Sequence, residues 1–146
     1  PAGWTSADAA GLPILPGLLR WSEVRSGRVD HAIRFTAPTT APRYVWPARH
    51  QAGDDPGAPP MGARFRLRTD FDVSGFSPHA RTVLTAMRDY GLVLADNGSA
   101  WYFQGATNAA WPERLLDELK TVPAGAFEAV DTSGLIVSPD SARARP

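Results

Sequence analysis

The chain has 146 residues, of which 43% are hydrophobic and 21% charged, values typical of a single globular domain with a buried core. Fifteen basic residues balance fifteen acidic ones, and no apolar run approaches the roughly 18 residues that span a bilayer, so neither a nucleic-acid nor a membrane partner is expected. Cysteine is absent, which excludes disulfides, thiolate nucleophiles and cysteine-based metal sites.

The first 60 residues predict short elements separated by proline and glycine. A helical turn over 5–10 precedes a buried extended loop over 12–16, where two prolines interrupt an apolar run. Residues 21–26 predict a short helix, and the alternation over 29–36 predicts a strand. A second strand is expected over 43–46, before a proline and a long loop rich in Gly, Pro and Asp.

The strongest helix signal lies between a capping serine and a glycine stop. Ser77 is a typical N-cap, Pro78 is a typical first helical residue, and apolar residues recur at i, i+3, i+4 and i+7 before Gly91. The sequence therefore predicts a helix over 78–90. Leucines that share one face predict a second helix over 112–120.

Strand signals lie on both sides of the first of these helices. Residues 64–69 predict a strand whose outward face carries three arginines, namely Arg64, Arg66 and Arg68. The apolar run 92–95 is typical of a central strand. The turn residues 96–99 then predict a hairpin in which 100–104 returns antiparallel.

Together these elements predict an α+β fold, in which an antiparallel β-sheet, conceivably half of a β-sandwich, carries two main helices. A single globular domain is expected over 1–131, and a flexible C-terminal tail over 132–146. The chain begins within a coherent motif. We therefore expect the domain to lack an N-terminal portion, and a second polypeptide segment to complete the fold.

Three aspartates are candidates for acid–base catalysis. Asp70 and Asp72 lie two residues apart, which in an extended chain places their Cβ atoms on one face, roughly 6–7 Å apart. Asp96 ends a buried strand, a position where binding and catalytic groups are common. The alternative is that these aspartates have a structural role in turns. Asp72 precedes a turn, and Asp96 begins an Asp-Asn-Gly sequence that would close a hairpin.

Aromatic residues near Asp96 are candidates for a sugar-binding surface. Trp101 and Tyr102 alternate across the predicted strand, so one ring can stack on a sugar while the other packs inward. Trp46 is a further candidate for the same surface. The alternative is that Trp101 belongs to the hydrophobic core.

Histidines and arginines complete the candidate site. His50 follows a strand-to-loop transition and is a candidate catalytic partner of Asp96. Arg34 and Arg49 are candidates for orienting hydroxyls or carboxylates, and the arginines of strand 64–69 would suit an acidic polysaccharide, although such a strip is also typical of a solvated sheet face. No two histidines have the spacing of metal ligands, and neither a metal nor a cofactor is expected.

Six segments of the sequence resemble a family of uncharacterised secreted proteins of soil bacteria, sometimes associated with carbohydrate-binding modules. They are GWTSADAAGLPILPGLLRWSEV, HAIRFT, YVWPARH, PPMGARFRLR, FDVSGFSP and YGLVLADNGSAWY. The resemblance spans most of 1–131 and implies export and a carbohydrate setting, but it assigns no catalytic residue. In that family the domain continues N-terminally through further strands.

Three functional hypotheses follow. The first is a secreted, extracellular carbohydrate-active domain, with glycoside hydrolysis by Asp96 and a partner among Asp70, Asp72 and His50 as the reaction. The second is a non-catalytic carbohydrate-binding or interaction module that uses the same aromatic residues. The third is a structural subunit that completes its sheet with another chain. The expected ligand is a polysaccharide or oligosaccharide.

Overall fold

A computed structural model of the chain describes residues 7–138, 141 and 143–146. Its strands are β1 (Ile33–Ala37), β2 (Arg64–Leu67), β3 (Leu92–Asn97), β4 (Tyr102–Phe103) and β5 (Phe127–Val130). Its helices are α1 (Ile14–Gly17), α2 (Trp21–Ser26), α3 (Pro78–Asp89) and α4 (Glu113–Lys120), with short 3₁₀ turns at Ala124–Ala126 and Ser133–Leu135. None of the helices in these described residues is long and apolar enough to cross a membrane.

The five strands form one curled sheet in the order β4-β1-β3-β2-β5. With 26% of the chain helical and 21% in strands, the predicted α+β class is confirmed. Three of the four pairings are antiparallel, as predicted, whereas β1 and β3 are parallel, so the sheet is mixed at its centre. The apolar strand β3 occupies the central position that its burial pattern requires.

The prediction of a hairpin between β3 and β4 is wrong. Strand β4 does run back antiparallel to β3, but it pairs with β1, which lies between them. The connection therefore crosses the end of β1, where Gly98 N–H donates to Ala37 O at 3.0 Å and Thr36 Oγ1 donates to Ser99 O at 2.8 Å. A Cβ on Gly98 would lie 2.9 Å from Thr36 Oγ1, so this crossing needs glycine.

Helix α3 confirms the capping and periodicity signals. Ser77 Oγ accepts a hydrogen bond from Ala80 N–H at 3.3 Å, and Gly91, with φ +79°, follows the end of the helix. The buried face includes all four residues that the apolar spacing identified, namely Ala80, Val83, Leu84 and Met87, and adds Ala86. The short helix predicted over 21–26 is also confirmed, with Gly27 in the left-handed conformation at its C-cap.

Four other predictions differ from the structure. Residues 12–16 include the start of helix α1, and residues 7–10 form a bridge and a turn, whereas 5 and 6 of the predicted helical turn lie outside the described residues. The strand predicted over 29–36 begins only at 33. The segment 43–46 forms a single bridge, from Tyr44 to Met61, and no strand. Strand β5, which was not predicted, is short and acquires its pairing only from β2.

The two faces of the sheet are covered differently. The side chains of Ile33, Phe35 and Leu94 lie on the face that packs against α3 and α4, which we call the helix-covered face. Arg34 lies on the opposite face, which is covered by the N-terminal segment and the loop before β2. Gly17 packs so closely there that its Cβ would lie 3.0 Å from Arg34 Cβ. We call this side the loop-covered face.

Candidate functional site

Arg34 is the centre of a polar cluster beneath the N-terminal segment. Only 5% of this residue is exposed, although it lies in the middle of β1. Its Nη2 contacts Asp8 Oδ2 at 2.9 Å and lies 4.0 Å from Asp96 Oδ2, and its Nη1 donates to Gln104 Oε1. Two of the predicted site residues, Arg34 and Asp96, are therefore brought together, and the structure adds Asp8 and Gln104.

Asp8 is held in place by the turn that follows it. Its Oδ1 accepts from Leu12 N–H at 2.9 Å, and its carbonyl accepts from Gly11 N–H, where φ is +74°. The side chain of Asp8 is 1% exposed. This burial raises the pKa of the Asp8 carboxyl above 3.8, against the opposing effects of the Leu12 N–H and the Arg34 guanidinium. The ion pair thus fastens the N-terminal turn to β1.

Two adjoining cavities on the loop-covered face share one arginine, Arg64. The first has a volume of about 230 Å³ and is lined by Asp8 and Arg34 together with three prolines. The second, of about 350 Å³, is lined by Tyr44, Trp46 and residues at the end of β5. We call the two together the Arg64 groove. A cavity with charged lining residues and a cavity with aromatic lining residues therefore meet at a single guanidinium, and the aromatic one has the size of a small-ligand site.

Arg64 differs from its neighbours in having no acidic partner among the residues that the structure describes. Its Nε is buried without a hydrogen-bond partner, and desolvation lowers the pKa of the guanidinium below its ordinary value. Arg66 instead pairs with Glu128 at 2.6 Å, and Arg68 pairs with Asp70 at 3.1 Å. Of the three arginines predicted to face outward, only Arg64 therefore points its charge into a cavity.

The structure does not bring Asp70 or Asp72 to Asp96. Strand β2 runs antiparallel to β3 with Phe65 opposite Leu92, so residues after β2 leave the sheet at the end opposite Asp96. Both carboxyls are exposed, and their pKa values lie below 3.8. Asp70 accepts from Arg68, and Asp72 accepts from Ser74 N–H at 2.8 Å. These are the contacts of ionised surface and turn carboxylates.

His50 and Arg49 lie against the N-terminal turn and not in the Arg64 groove. Their backbone N–H groups both donate to Ala10 O, and Ala10 N–H donates to Ala95 O, next to Asp96 in the chain. Both residues are exposed. In the described part of the chain, no group of three or more histidines and carboxylates is placed to hold a metal ion.

The aromatic residues predicted as a platform separate into two places. Trp46 lines the Arg64 groove. Trp101 lies instead on the helix-covered face, stacked on Phe35 and Phe127 at centroid distances of 5.2 and 5.3 Å. Tyr102, 58% exposed, belongs to the edge strand β4. Trp101 itself is 38% exposed, so one part of its ring contacts other aromatic side chains and the rest is open to solvent.

A comparison of the chain with protein-family models, curated proteins and solved structures finds no match. The resemblance to secreted soil-bacterial proteins therefore stays a prediction.

Sequence reasoning missed Asp8, Gln104 and the distinct role of Arg64. Asp8 lies 26 residues before its partner Arg34, and Gln104 lies 70 residues after it, so no local pattern joins them. The signal available was an arginine between Ile33 and Phe35 in a predicted strand, because a charged residue that becomes buried there requires a partner.

Proposed function

We propose that this chain is an extracellular carbohydrate-binding module that recognises an acidic saccharide in the Arg64 groove. The observation that carries the proposal is Arg64, a half-buried residue whose Nε is buried without a hydrogen-bond partner and which has no acidic partner among the described residues, placed between two cavities. A guanidinium binds a carboxylate through two parallel hydrogen bonds, which suits the carboxylate of a uronic acid.

The aromatic end of the groove supports the choice of a saccharide. Trp46 and Tyr44 line the second cavity beside Arg64, together with Asp131 and Ser133. Aromatic faces stack on sugar rings, and nearby polar groups bond to hydroxyls. The extracellular setting is supported by the resemblance to secreted bacterial proteins.

The proposal is tested by calorimetric titration with a uronic-acid oligomer and with a neutral oligomer of the same length. The acidic oligomer should bind more tightly. Arg64→Gln should weaken its binding by about ten- to a hundredfold, the effect of losing a charged hydrogen-bonded pair. The matched control is Arg66→Gln, because Arg66 is two residues along the same strand face but is paired with Glu128. That control should change binding less than about twofold.

Three outcomes would contradict the proposal. The acidic and neutral oligomers could bind equally, Arg64→Gln could leave binding unchanged, or neither oligomer could bind. Trp46→Ala provides a separate readout. Loss of stacking on Trp46 should weaken the binding of both oligomers, whereas loss of the guanidinium in Arg64→Gln should weaken the binding of the acidic oligomer only.

Glycoside hydrolysis is the second candidate, with Asp8 as the partner of Asp96. Their Oδ2 atoms lie 2.9 and 4.0 Å from the same Arg34 nitrogen, so they are at most about 7 Å apart, a limit that includes the separation of about 5–5.5 Å in retaining glycosidases. The raised pKa of Asp8 suits an acid, whereas its burial shields it from a polymer. Release of reducing sugar that is abolished by Asp96→Asn would support hydrolysis, and no release from any polysaccharide of a panel would contradict it.

A further inference from the structure

A second cavity system lies on the helix-covered face, away from the Arg64 groove. Its volume is about 170 Å³, and it lies between the sheet and the end of α4. The residues that decide its chemistry are four aromatic side chains and one cation, namely Phe35, Trp101, Phe103, Phe127 and Lys120. No acidic residue is among those that line it.

Trp101 forms one wall of this cavity in an unusual backbone conformation. Its φ of +51° is left-handed, a region that bulky residues rarely adopt. The indole is stacked on Phe35 and Phe127 and meets the edge of Phe65 at 5.4 Å, and these ring contacts hold the conformation in place. Strained residues persist only where the surrounding structure over-determines their conformation, and they cluster at active sites and ligand-binding positions.

The volume of the cavity matches a ligand with a single aromatic ring. An apolar cavity of about 150 Å³ in another protein accommodates benzene, and the cavity here is slightly larger and also walled by aromatic and aliphatic side chains. Aromatic walls favour an aromatic ligand through offset and edge contacts.

Lys120 is the only charged side chain among the described residues that line this cavity. It is the single lysine of the chain, and its side chain is 70% exposed. Its Nζ lies 3.4 Å from Asp117 Oδ1, and this exposed pair between adjacent helical turns is weak enough for a ligand carboxylate to compete with it.

We propose that this cavity binds a small aromatic carboxylate, with the ring between Trp101 and the helical wall and the carboxylate at Lys120. This site is on the opposite face of the sheet from the Arg64 groove, so it does not depend on the proposed saccharide binding.

The experiment uses three probes and an NMR titration of the backbone amides of the full chain. Phenylacetate has both the ring and the carboxylate, benzyl alcohol has only the ring, and acetate has only the carboxylate. Phenylacetate should bind most tightly and benzyl alcohol more weakly, each shifting amides of 100–103 and 119–127. Acetate should cause no saturable shift there.

Two variants separate the contributions of the ring and the charge. Lys120→Gln should weaken the binding of phenylacetate by about two- to fivefold, as expected for the loss of an exposed ion pair, and should leave the binding of benzyl alcohol unchanged. Arg114→Gln removes a cation that lies on the same helix but outside this cavity, so it should change the binding of neither phenylacetate nor benzyl alcohol. Val122→Phe should abolish binding of both ring-containing probes by filling the cavity.

The proposal is overturned if phenylacetate gives no saturable shift, if acetate matches it, or if Lys120→Gln and Arg114→Gln have equal effects. A Val122→Phe variant that is folded but still binds would also overturn it. If that variant does not fold, nuclear Overhauser contacts between phenylacetate ring protons and the Trp101 indole in the unaltered chain decide the matter, since their absence contradicts the assigned position.

Discussion

At the scale of single residues, the ion pair between Arg34 and Asp8 joins the N-terminal turn to the first strand. Both side chains are almost fully buried, and Nη2 and Oδ2 are 2.9 Å apart. Removal of one member leaves the other charged and unpaired in the interior. We expect Arg34→Met to lower the free energy of unfolding by about 3–5 kcal/mol, measured by urea denaturation.

The control for this prediction is Arg66→Met, which breaks an exposed pair with Glu128 on the neighbouring strand. Arg66→Met should lower the free energy of unfolding by less than about 1 kcal/mol. Equal losses for the two variants would show that burial of the Arg34 pair is not what makes it important.

The position of Arg34 in its strand could be predicted from the sequence, but its burial and its partners could not. Because successive side chains of a strand point to opposite faces, the strand predicted over 29–36 places Arg34 on the face opposite Phe35, as the structure does, but the pattern does not say what covers that face. Its burial depends on the turn at Asp8 and on Gly17, which lies close above its side chain. These partners are distant in the chain, and no periodicity connects them.

At the scale of elements, the crossing of 98–101 over β1 depends on the missing side chain of Gly98. A Cβ there would lie 2.9 Å from Thr36 Oγ1 and 3.1 Å from Thr36 Cβ, and Thr36 is buried. We expect Gly98→Ala to lower the free energy of unfolding by about 1–3 kcal/mol, the usual cost of overpacking. Thermal or urea unfolding measures it.

Gly75→Ala is the matched control, because a Cβ there would meet nothing within 4 Å. It should change stability by less than about 0.5 kcal/mol. A Gly98→Ala variant as stable as Gly75→Ala would mean that the connection relaxes away from β1 at no cost.

Helix α4 is joined to the start of α3 by a second carboxylate. Glu118 accepts from Ser77 N–H at 2.5 Å and from Ser77 Oγ at 2.6 Å, and these bonds hold the pKa of Glu118 below 4.5. Because the pKa is depressed in the folded state, the stabilisation is complete above about pH 4.5 and is lost as the pH falls through the folded pKa.

We therefore expect Glu118→Gln to destabilise the protein at pH 7 and to differ less from the unaltered chain near pH 3. Urea denaturation at both pH values measures the two differences. Glu113→Gln, in the exposed first turn of the same helix, should change stability little at either pH. A Glu118→Gln effect that stays constant with pH would contradict the assigned role.

At the scale of the whole molecule, the sheet separates two candidate binding regions. The loop-covered face carries the charged Arg64 groove, and the helix-covered face carries the aromatic cavity at Trp101. Saccharide binding through Arg64 should weaken as the salt concentration rises, because charge–charge attraction is screened. Titration at about 0.05 and 0.5 M salt tests this, and equal affinities would indicate that the guanidinium does not meet a charged ligand.

Completion of the sheet by a second polypeptide segment stays a prediction at this scale. Native mass spectrometry tests it directly. A single species of 15.7 kDa at working concentration would contradict it, and a stable complex with a second segment would support it.

The sequence by itself determined the elements whose signals are local. The capped helix α3, the short helix α2 and the buried strand β3 follow from spacing, caps and glycine stops, and the α+β class follows from their sum. Only the tertiary structure decided which strands pair, because β1 enters between two strands that are adjacent in sequence. The same holds for both candidate sites, since burial and pairing depend on residues that are far apart in the chain and meet only when the sheet curls.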